Sequence, residues 1–275
     1  MLIRFSVENF LSFREEVEFS MVPGKTRKHK EHIITNGKHI KVLKSGIIYG
    51  ANASGKSNLI KAMDFAQQMI VGKRRSAKQR ILITPFKFDK KTELKPSRFQ
   101  FEIKVKSKSY IYGFELNSKH INAEWLYEIR PTTEKMIFER ETDNEGYTTI
   151  SFGKIDYKGE YTSEFLHFTM LGTRPNQLFL TESMDKNIPY FREIYNWFDE
   201  TLVLLFPNTK PANIEITFMN NEEFQKKFCD IVKLFDLGID DIKLEDFDFD
   251  EDSRIPNVIK TQIKQDILEL HSQNE

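Results

Sequence analysis

The sequence predicts an α/β fold in which a β-rich N-terminal lobe carries a phosphate-binding loop and its helix, and a helical segment follows. Three observations support this prediction. Apolar and polar residues alternate along 2–8 and 98–116, which is the period of half-buried strands. Residues 50–57 match the pattern G-x-x-x-x-G-K-[ST]. Apolar residues recur at helical spacing along 58–70 and 188–205.

The N-terminal residues are expected to form a hairpin. The strand at 2–8 returns at 17–21, and the turn at 9–13 contains two anchoring phenylalanines. Residues 25–39 are expected to be a basic polar loop, and residues 40–43 are a further candidate strand.

A meander of strands is predicted after the helix that follows the phosphate-binding loop. Residues 98–106 pair with 110–116 across a polar turn, and further strands are expected at 121–129 and 136–141. The polar region 142–163 is expected to consist of hairpin loops.

The second half of the chain is predicted to be mainly helical. A helix can start within 177–183, and amphipathic helices are expected at 188–205, 222–237 and 255–270. The stretch 240–252 carries eight carboxylates, which is typical of a solvated segment rather than of a metal site.

The chain of 275 residues has no net charge, but its charge is distributed unevenly. Residues 1–110 hold 24 Lys and Arg against 9 Asp and Glu, whereas residues 111–275 hold 17 against 32. A basic N-terminal half can present a face to nucleic acid, and the two halves can equally pack together and cancel their charges. Both interpretations stay open.

Cysteine usage and hydropathy predict a cytoplasmic protein. The single cysteine, Cys229, excludes an internal disulfide and fits a reducing compartment. The first residues lack the layout of a signal peptide, and no apolar run approaches the ~20 residues of a membrane span. We therefore expect no membrane as a partner.

Each fixed position of the phosphate-binding loop has a chemical task. The two glycines let the backbone turn tightly and approach an anion, and the amides between them can point at phosphate oxygens. Lys56 can reach the β- and γ-phosphates, and the Ser57 hydroxyl can bind Mg²⁺. Lys56 is therefore the predicted catalytic residue and Ser57 the predicted metal ligand. The predicted nucleotide-binding residues are Gly50, Ala51, Asn52, Ala53, Ser54, Gly55, Lys56, Ser57 and Asn58.

The neighbouring residues favour this assignment over a glycine-containing turn with a solvated lysine. The run 45–49 is typical of a short buried strand, and 58–70 is typical of a helix whose N-terminus adds affinity for an anion. Strand, loop and helix are the context that the pattern requires.

Other kinds of chemistry are not favoured. His29, His32 and His39 lie in the basic loop without cysteine and without a spaced pair of carboxylates, which argues against a zinc site. No G-x-S-x-G pattern occurs, and Cys229 is expected on the core stripe of a helix, so a covalent nucleophile has no support.

Two motifs occur in a recognisable order. Asn-Phe-Leu-Ser-Phe at 9–13 follows the first strand, and the loop Gly-Ala-Asn-Ala-Ser-Gly-Lys-Ser-Asn occupies 50–58. This order resembles the heads of the RecF, SMC and OLD branch of ABC-type ATPases, and in particular bacterial AAA-family ATP-binding proteins, several of which act in anti-phage and abortive-infection systems. More diffuse similarity extends to the segments 85–88, 112–116, 138–140, 176–180 and 236–239.

The resemblance implies an ABC-type P-loop NTPase fold that binds ATP and Mg²⁺ at 50–58. It also implies a signature segment from a second head and a Walker B strand of four apolar residues followed by Asp-Glu. No convincing signature segment is found. For Walker B, 202–206 is followed by a proline, 231–236 is interrupted by a lysine, and 247–251 is too polar. We therefore expect these residues to be the N-terminal, incomplete part of a longer ATPase.

Two further residues are weaker candidates for the same site. Arg14 follows the Asn-Phe turn and is either a contact to the nucleotide or a surface arginine. Gln100 is a candidate for the family's Mg²⁺- and water-sensing glutamine, and it is expected on the outer face of its strand.

The expected function is an ATP-driven dimerisation or conformational switch in phage defence or DNA-related processes, with a second copy of the head as the first partner. We expect an ATP-binding lobe at 1–170, a helical subdomain at 171–239, and an acidic linker with the start of a helix at 240–275. One alternative is a module that binds ATP without hydrolysis and recruits an effector such as a nuclease. The other is a DNA-binding structural head that uses the basic N-terminal half.

Overall fold

A computed structural model describes residues 1–25, 28–35, 41–72, 76, 78–143, 145, 147–153, 163–209, 214–235, 238–243, 248–251 and 255–272. The chain divides into two compact units, Met1–Leu204 and Leu205–Glu275. This division differs from the boundaries predicted after residues 170 and 239, which stay predictions.

The first unit contains nine described strands and four described helices. The strands are β1 (Leu2–Glu8), β2 (Val17–Ser20), β3 (Ile33–Thr35), β4 (Lys41–Leu43), β5 (Ser97–Val105), β6 (Lys108–Leu116), β7 (Ile121–Ile129), β8 (Glu134–Thr142) and β9 (Thr148–Phe152). The helices are α1 (Lys56–Val71), α2 (Ser163–Leu171), α3 (Phe179–Asp185) and α4 (Pro189–Asn196), and a π-helical turn follows at Trp197–Thr201.

Seven of these strands form one antiparallel sheet in the order β2-β1-β5-β6-β7-β8-β9, and β3 pairs with β4 separately. The predicted N-terminal hairpin and the predicted meander are therefore confirmed. β1 joins them because it pairs with β2 on one side and with β5 on the other. The alternation in the sequence places Phe5, Phe99 and Phe101 on the buried face.

The core of this unit lies between one face of the sheet and the helices. α1 buries the four residues whose spacing predicted it, Leu59, Met63, Ala66 and Ile70. The aromatic ring of Phe101 lies 5.1 Å from that of Phe198 in the π-helical turn. Packing of this face against α1 fixes the position of the helix whose N-terminus follows the phosphate-binding loop.

The second unit contains three described helices and no described strand. It contains α5 (Ile214–Asn220), α6 (Glu222–Leu234) and α7 (Asn257–Ser272). Asn221 caps α6 because its side-chain oxygen accepts a hydrogen bond of 2.9 Å from the amide of Phe224. Phe228 contacts Phe218 and Phe224 within this unit.

Several short elements were not predicted from the sequence. The expected loop regions contain β3 and β9, and α2 and α5 had no predicted counterpart. Residues 202–205 are not helical, because α4 is followed by the π-helical turn and that turn ends at Thr201. Short elements such as β3 and β9 present too few alternating residues for a pattern to stand out from a polar loop.

Candidate nucleotide-binding loop

The end of the phosphate-binding loop requires glycine. Gly55 has a φ of 97°, which lies in the left-handed region where side chains are disfavoured. A Cβ at this position would lie 3.1 Å from Ser12 Oγ and 3.3 Å from the ring of Phe13. The second glycine of the motif is thus required both by its backbone conformation and by its contact with the N-terminal turn.

The N-terminus of α1 is left without a side-chain cap. Gly55 is the N-cap residue, and its carbonyl accepts hydrogen bonds from the amides of Asn58 and Leu59 at 2.9 and 3.1 Å. The helix itself offers no acceptor to the amides of Lys56 and Ser57. These donors and the positive end of the helix dipole suit a bound phosphate.

Lys56 folds back over the loop that precedes it. Its Nζ donates hydrogen bonds of 2.8 Å to the carbonyl oxygens of Gly50 and Ala51. A Cβ on Gly50 would lie 2.9 Å from Ser54 Oγ, so the loop is compact at its first glycine. Residues 51–54 are exposed, which gives a phosphate group access to the loop. The lysine, the amides and the glycine backbone together fit a nucleotide phosphate.

The Asn-Phe-Leu-Ser-Phe turn packs against this loop. Asn58 Nδ2 donates a hydrogen bond of 2.8 Å to Ser12 Oγ, and the ring of Phe13 lies beside Gly55. Phe10 is buried and contacts Phe65 of α1 at 5.4 Å between ring centroids. The two motifs that are 37 residues apart at their nearest ends in the sequence therefore form one structural site.

Asn9 explains why the turn begins with asparagine. Its φ is 52°, a left-handed conformation that asparagine tolerates better than most residues. Its Nδ2 donates hydrogen bonds of 2.8 Å to the carbonyl oxygens of Thr92 and Lys95, and its Oδ1 accepts one from the amide of Phe86. Asparagine at a tight turn is the one signal in the sequence that points to this role of Asn9.

The buried strand predicted at 45–49 is wrong. These residues adopt no strand, and Ile47 and Tyr49 are 87% and 90% exposed. A buried strand needs neighbouring strands to accept its hydrogen bonds, and none of the described strands pairs with this segment. An apolar run in the sequence cannot by itself supply those partners.

The contacts that the two weaker candidates make are with residues outside the loop. Arg14 forms an ion pair of 2.9 Å with Asp89, and its side chain is 55% exposed. Gln100 lies on the outer face of the sheet, as predicted, where its Oε1 accepts a hydrogen bond of 3.2 Å from Trp125. The opposite face packs against α1, so Gln100 does not face the helix of the phosphate-binding loop.

The segments tested for a Walker B strand form no strand in the part of the chain that is described. Residues 202–206 lie outside the strands, and 231–234 belong to α6. The remainder of the second segment lies partly outside the described residues, as does the start of 247–251.

None of the helices in the described part of the chain has the length and the apolar composition of a membrane span.

A family described as "AAA domain, putative AbiEii toxin, Type IV TA system" matches residues 47–270, which is more than half of the chain. The matched range contains the whole phosphate-binding loop, the meander and all but the last two residues of the helices α1 to α7. Together with the sheet and its covering helices, the match confirms the predicted α/β fold class of a P-loop NTPase. No curated protein matches the chain.

Proposed function

The chain belongs to the family of AAA domains described as putative AbiEii toxins of type IV toxin–antitoxin systems, and on this premise we propose that it is the ATP-binding head of a RecF-, SMC- and OLD-like ABC-type ATPase. The proposed role is a switch in cytoplasmic phage defence. The observation that carries the proposal is the hydrogen bond between Ser12 and Asn58, which joins the Asn-Phe turn to the phosphate-binding loop.

The proposed ATP contacts come from the loop and the first turn of α1. The amides of Lys56 and Ser57 donate to phosphate oxygens, and the Lys56 ammonium exchanges its two carbonyl acceptors for the β- and γ-phosphates. The Ser57 hydroxyl is the proposed ligand of Mg²⁺, which neutralises charge on the phosphates when bound. Lys56 stabilises negative charge at the γ-phosphate, which is its proposed catalytic role.

The proposed partner is a second copy of this head. The loop residues 51–54 are exposed, so a second molecule can approach phosphates that are bound there. ATP would then couple the two heads, because its γ-phosphate is contacted from both sides. An effector such as a nuclease is a further proposed partner, which the associated heads would recruit.

The test is the molar mass of the protein with and without ATP and Mg²⁺, measured by light scattering. We expect nucleotide-dependent dimers of the natural protein and none of Lys56→Ala. Lys61→Ala is the matched control, because Lys61 is an exposed lysine on the same helix, and it should dimerise normally. Equal dimerisation of Lys56→Ala and the natural protein would contradict the proposal.

A regulatory module that binds ATP without hydrolysing it is the second candidate function. It is favoured by the three sequence segments that each fail the Walker B pattern. Phosphate release, measured with a coupled assay at saturating ATP, separates the two candidates. Turnover that is lost in Lys56→Ala supports the ATPase, and retained ATP binding without turnover selects the regulatory module.

A DNA-binding head is a third candidate, favoured by the basic residues 1–110. Phosphate contacts would make the affinity for duplex DNA fall steeply as salt rises, because binding releases counterions. A salt titration by fluorescence anisotropy tests this, and an affinity that does not change with salt removes the candidate.

A further inference from the structure

We propose that His29, Glu31 and His32 form a zinc-binding site that is separate from the phosphate-binding loop. One nitrogen of each imidazole and one carboxylate oxygen lie within 4.8 Å of one another. All three side chains are exposed, so an ion can reach them from solvent. Two imidazoles and a carboxylate are a ligand set that zinc uses where it keeps one coordination position open.

The distances in this cluster match those of a zinc site. Glu31 Oε1 lies 3.2 Å from His29 Nδ1 and 3.5 Å from His32 Nε2. Zinc binds nitrogen and oxygen ligands at about 2.0–2.2 Å, so two ligand atoms of a tetrahedral site are roughly 3.3–3.6 Å apart. Two of the three ligand separations are therefore close to those that the ion requires.

The backbone holds the three residues together. His29 adopts a left-handed conformation, with φ 56° and ψ 46°, and a 3₁₀ turn follows at Lys30–His32. The amide of His32 donates to the carbonyl of His29 at 3.1 Å, and the carbonyl of His32 accepts from the amide of Lys44 at 2.9 Å. These two hydrogen bonds close the turn and join it to Lys44, the residue that follows β4.

This segment contains neither cysteine nor a spaced pair of carboxylates, and on that ground the sequence did not favour zinc. In the structure, Glu31 lies between the two histidines, so that three possible metal ligands lie within one turn. The same contacts form an ion pair when a histidine is protonated. Zinc instead requires neutral imidazoles, so protons compete with the ion for these nitrogens. Mg²⁺ should not compete, because it prefers oxygen ligands.

The experiment is a calorimetric titration of the tag-free, chelator-treated protein with ZnCl₂ at pH 7.5, in the absence of nucleotide. We expect one equivalent to bind, and we expect His32→Gln and Glu31→Gln each to weaken binding by about tenfold or more. The matched control is His167→Gln, because His167 is an exposed histidine of α2 outside the cluster. It should bind zinc as the natural protein does.

Two results would overturn the proposal. One is the absence of saturable binding at up to about 100 μM zinc, a concentration that detects even modest affinity. The other is binding that His32→Gln and Glu31→Gln leave unchanged, because the ion would then lie elsewhere. Circular dichroism of both variants establishes that they are folded, so that a loss of binding reports the loss of a ligand.

Discussion

Gly55 is the residue at which the phosphate-binding loop, α1 and the Asn-Phe turn meet. A side chain at this position would be strained by the left-handed backbone and would crowd Ser12 and Phe13. The geometry of the loop at this point therefore depends on a residue that carries no chemistry of its own.

We predict that Gly55→Ala destabilises the protein by about 1–2 kcal/mol, because a side chain in the left-handed region is strained. ATP affinity should fall as well, since the loop must shift to relieve the contact with Ser12. Urea denaturation measures the first effect. Gly24→Ala is the control, because a Cβ there meets no atom within 4 Å, and a Gly55→Ala protein as stable as this control would contradict the prediction.

A buried charged pair links the sheet to α3. The Glu124 carboxylate, 0% exposed, accepts hydrogen bonds from the amides of Phe179 and Leu180 and from the hydroxyl of Tyr112. Arg140 Nη1 lies 3.8 Å from it. Burial raises the pKa of the Glu124 carboxyl, and Arg140 and the donated hydrogen bonds oppose that rise. Every one of these partners is a donor or a cation, so this position requires an acceptor.

We predict that Glu124→Gln destabilises the protein by about 3–5 kcal/mol, because Arg140 then loses its buried counter-charge. Glu141→Gln, at an exposed position on the neighbouring strand β8, should change stability by less than about 0.5 kcal/mol. The double variant Glu124→Gln, Arg140→Met removes both charges, keeps an acceptor oxygen for the amides of Phe179 and Leu180, and should recover part of the loss. Thermal and chemical denaturation measure all three, and equal effects of the two glutamine variants would argue against the pair.

At the scale of elements, α1 and the Asn-Phe turn behave as one assembly. The helix contributes Phe65 to the packing of Phe10 and Asn58 to the hydrogen bond with Ser12. The positions of the loop's amides therefore depend on the N-terminal hairpin as well as on the helix that follows them.

We predict that Asn58→Ala lowers ATP affinity by about two- to tenfold, since one hydrogen bond contributes about 0.5–1.5 kcal/mol. Gln68→Ala is the control, because Gln68 forms an exposed side-chain hydrogen bond with Asp64 further along α1. Fluorescence titration with a labelled ATP analogue measures both variants. Equal affinities of the two variants would show that the Asn58–Ser12 bond does not support the loop.

Periodicity predicted the long elements well, because their burial repeats over many residues. α1 and the strands β5 to β7 lie where the spacing of apolar residues placed them. The run 45–49 failed, because burial depends on partners elsewhere in the chain that a local apolar run does not reveal. The loop itself was recognisable from fixed glycines, whereas the role of Asn9 and the approach of Glu31 to two histidines depend on tertiary geometry.

At the scale of the whole molecule, the first unit supplies a complete support for the loop. Its core runs from Phe5 in β1 to Phe198 in the π-helical turn, and it holds α1 against the buried face of the sheet. Residues 51–54 of the loop are exposed at the surface of this unit. Such an arrangement suits a site that must bind a nucleotide and remain open to a second molecule.

The most direct test of the account is the binding of ATP and Mg²⁺ to the natural protein, Lys56→Ala and Lys61→Ala, measured by isothermal titration calorimetry. Among the described residues, Lys56 is the one whose side chain crosses the loop and donates hydrogen bonds to the carbonyl oxygens of both Gly50 and Ala51. We expect one saturable site in the natural protein and in Lys61→Ala, and a loss of at least about tenfold in affinity in Lys56→Ala. Undiminished ATP affinity in Lys56→Ala would contradict the assignment of residues 50–58 as the nucleotide site.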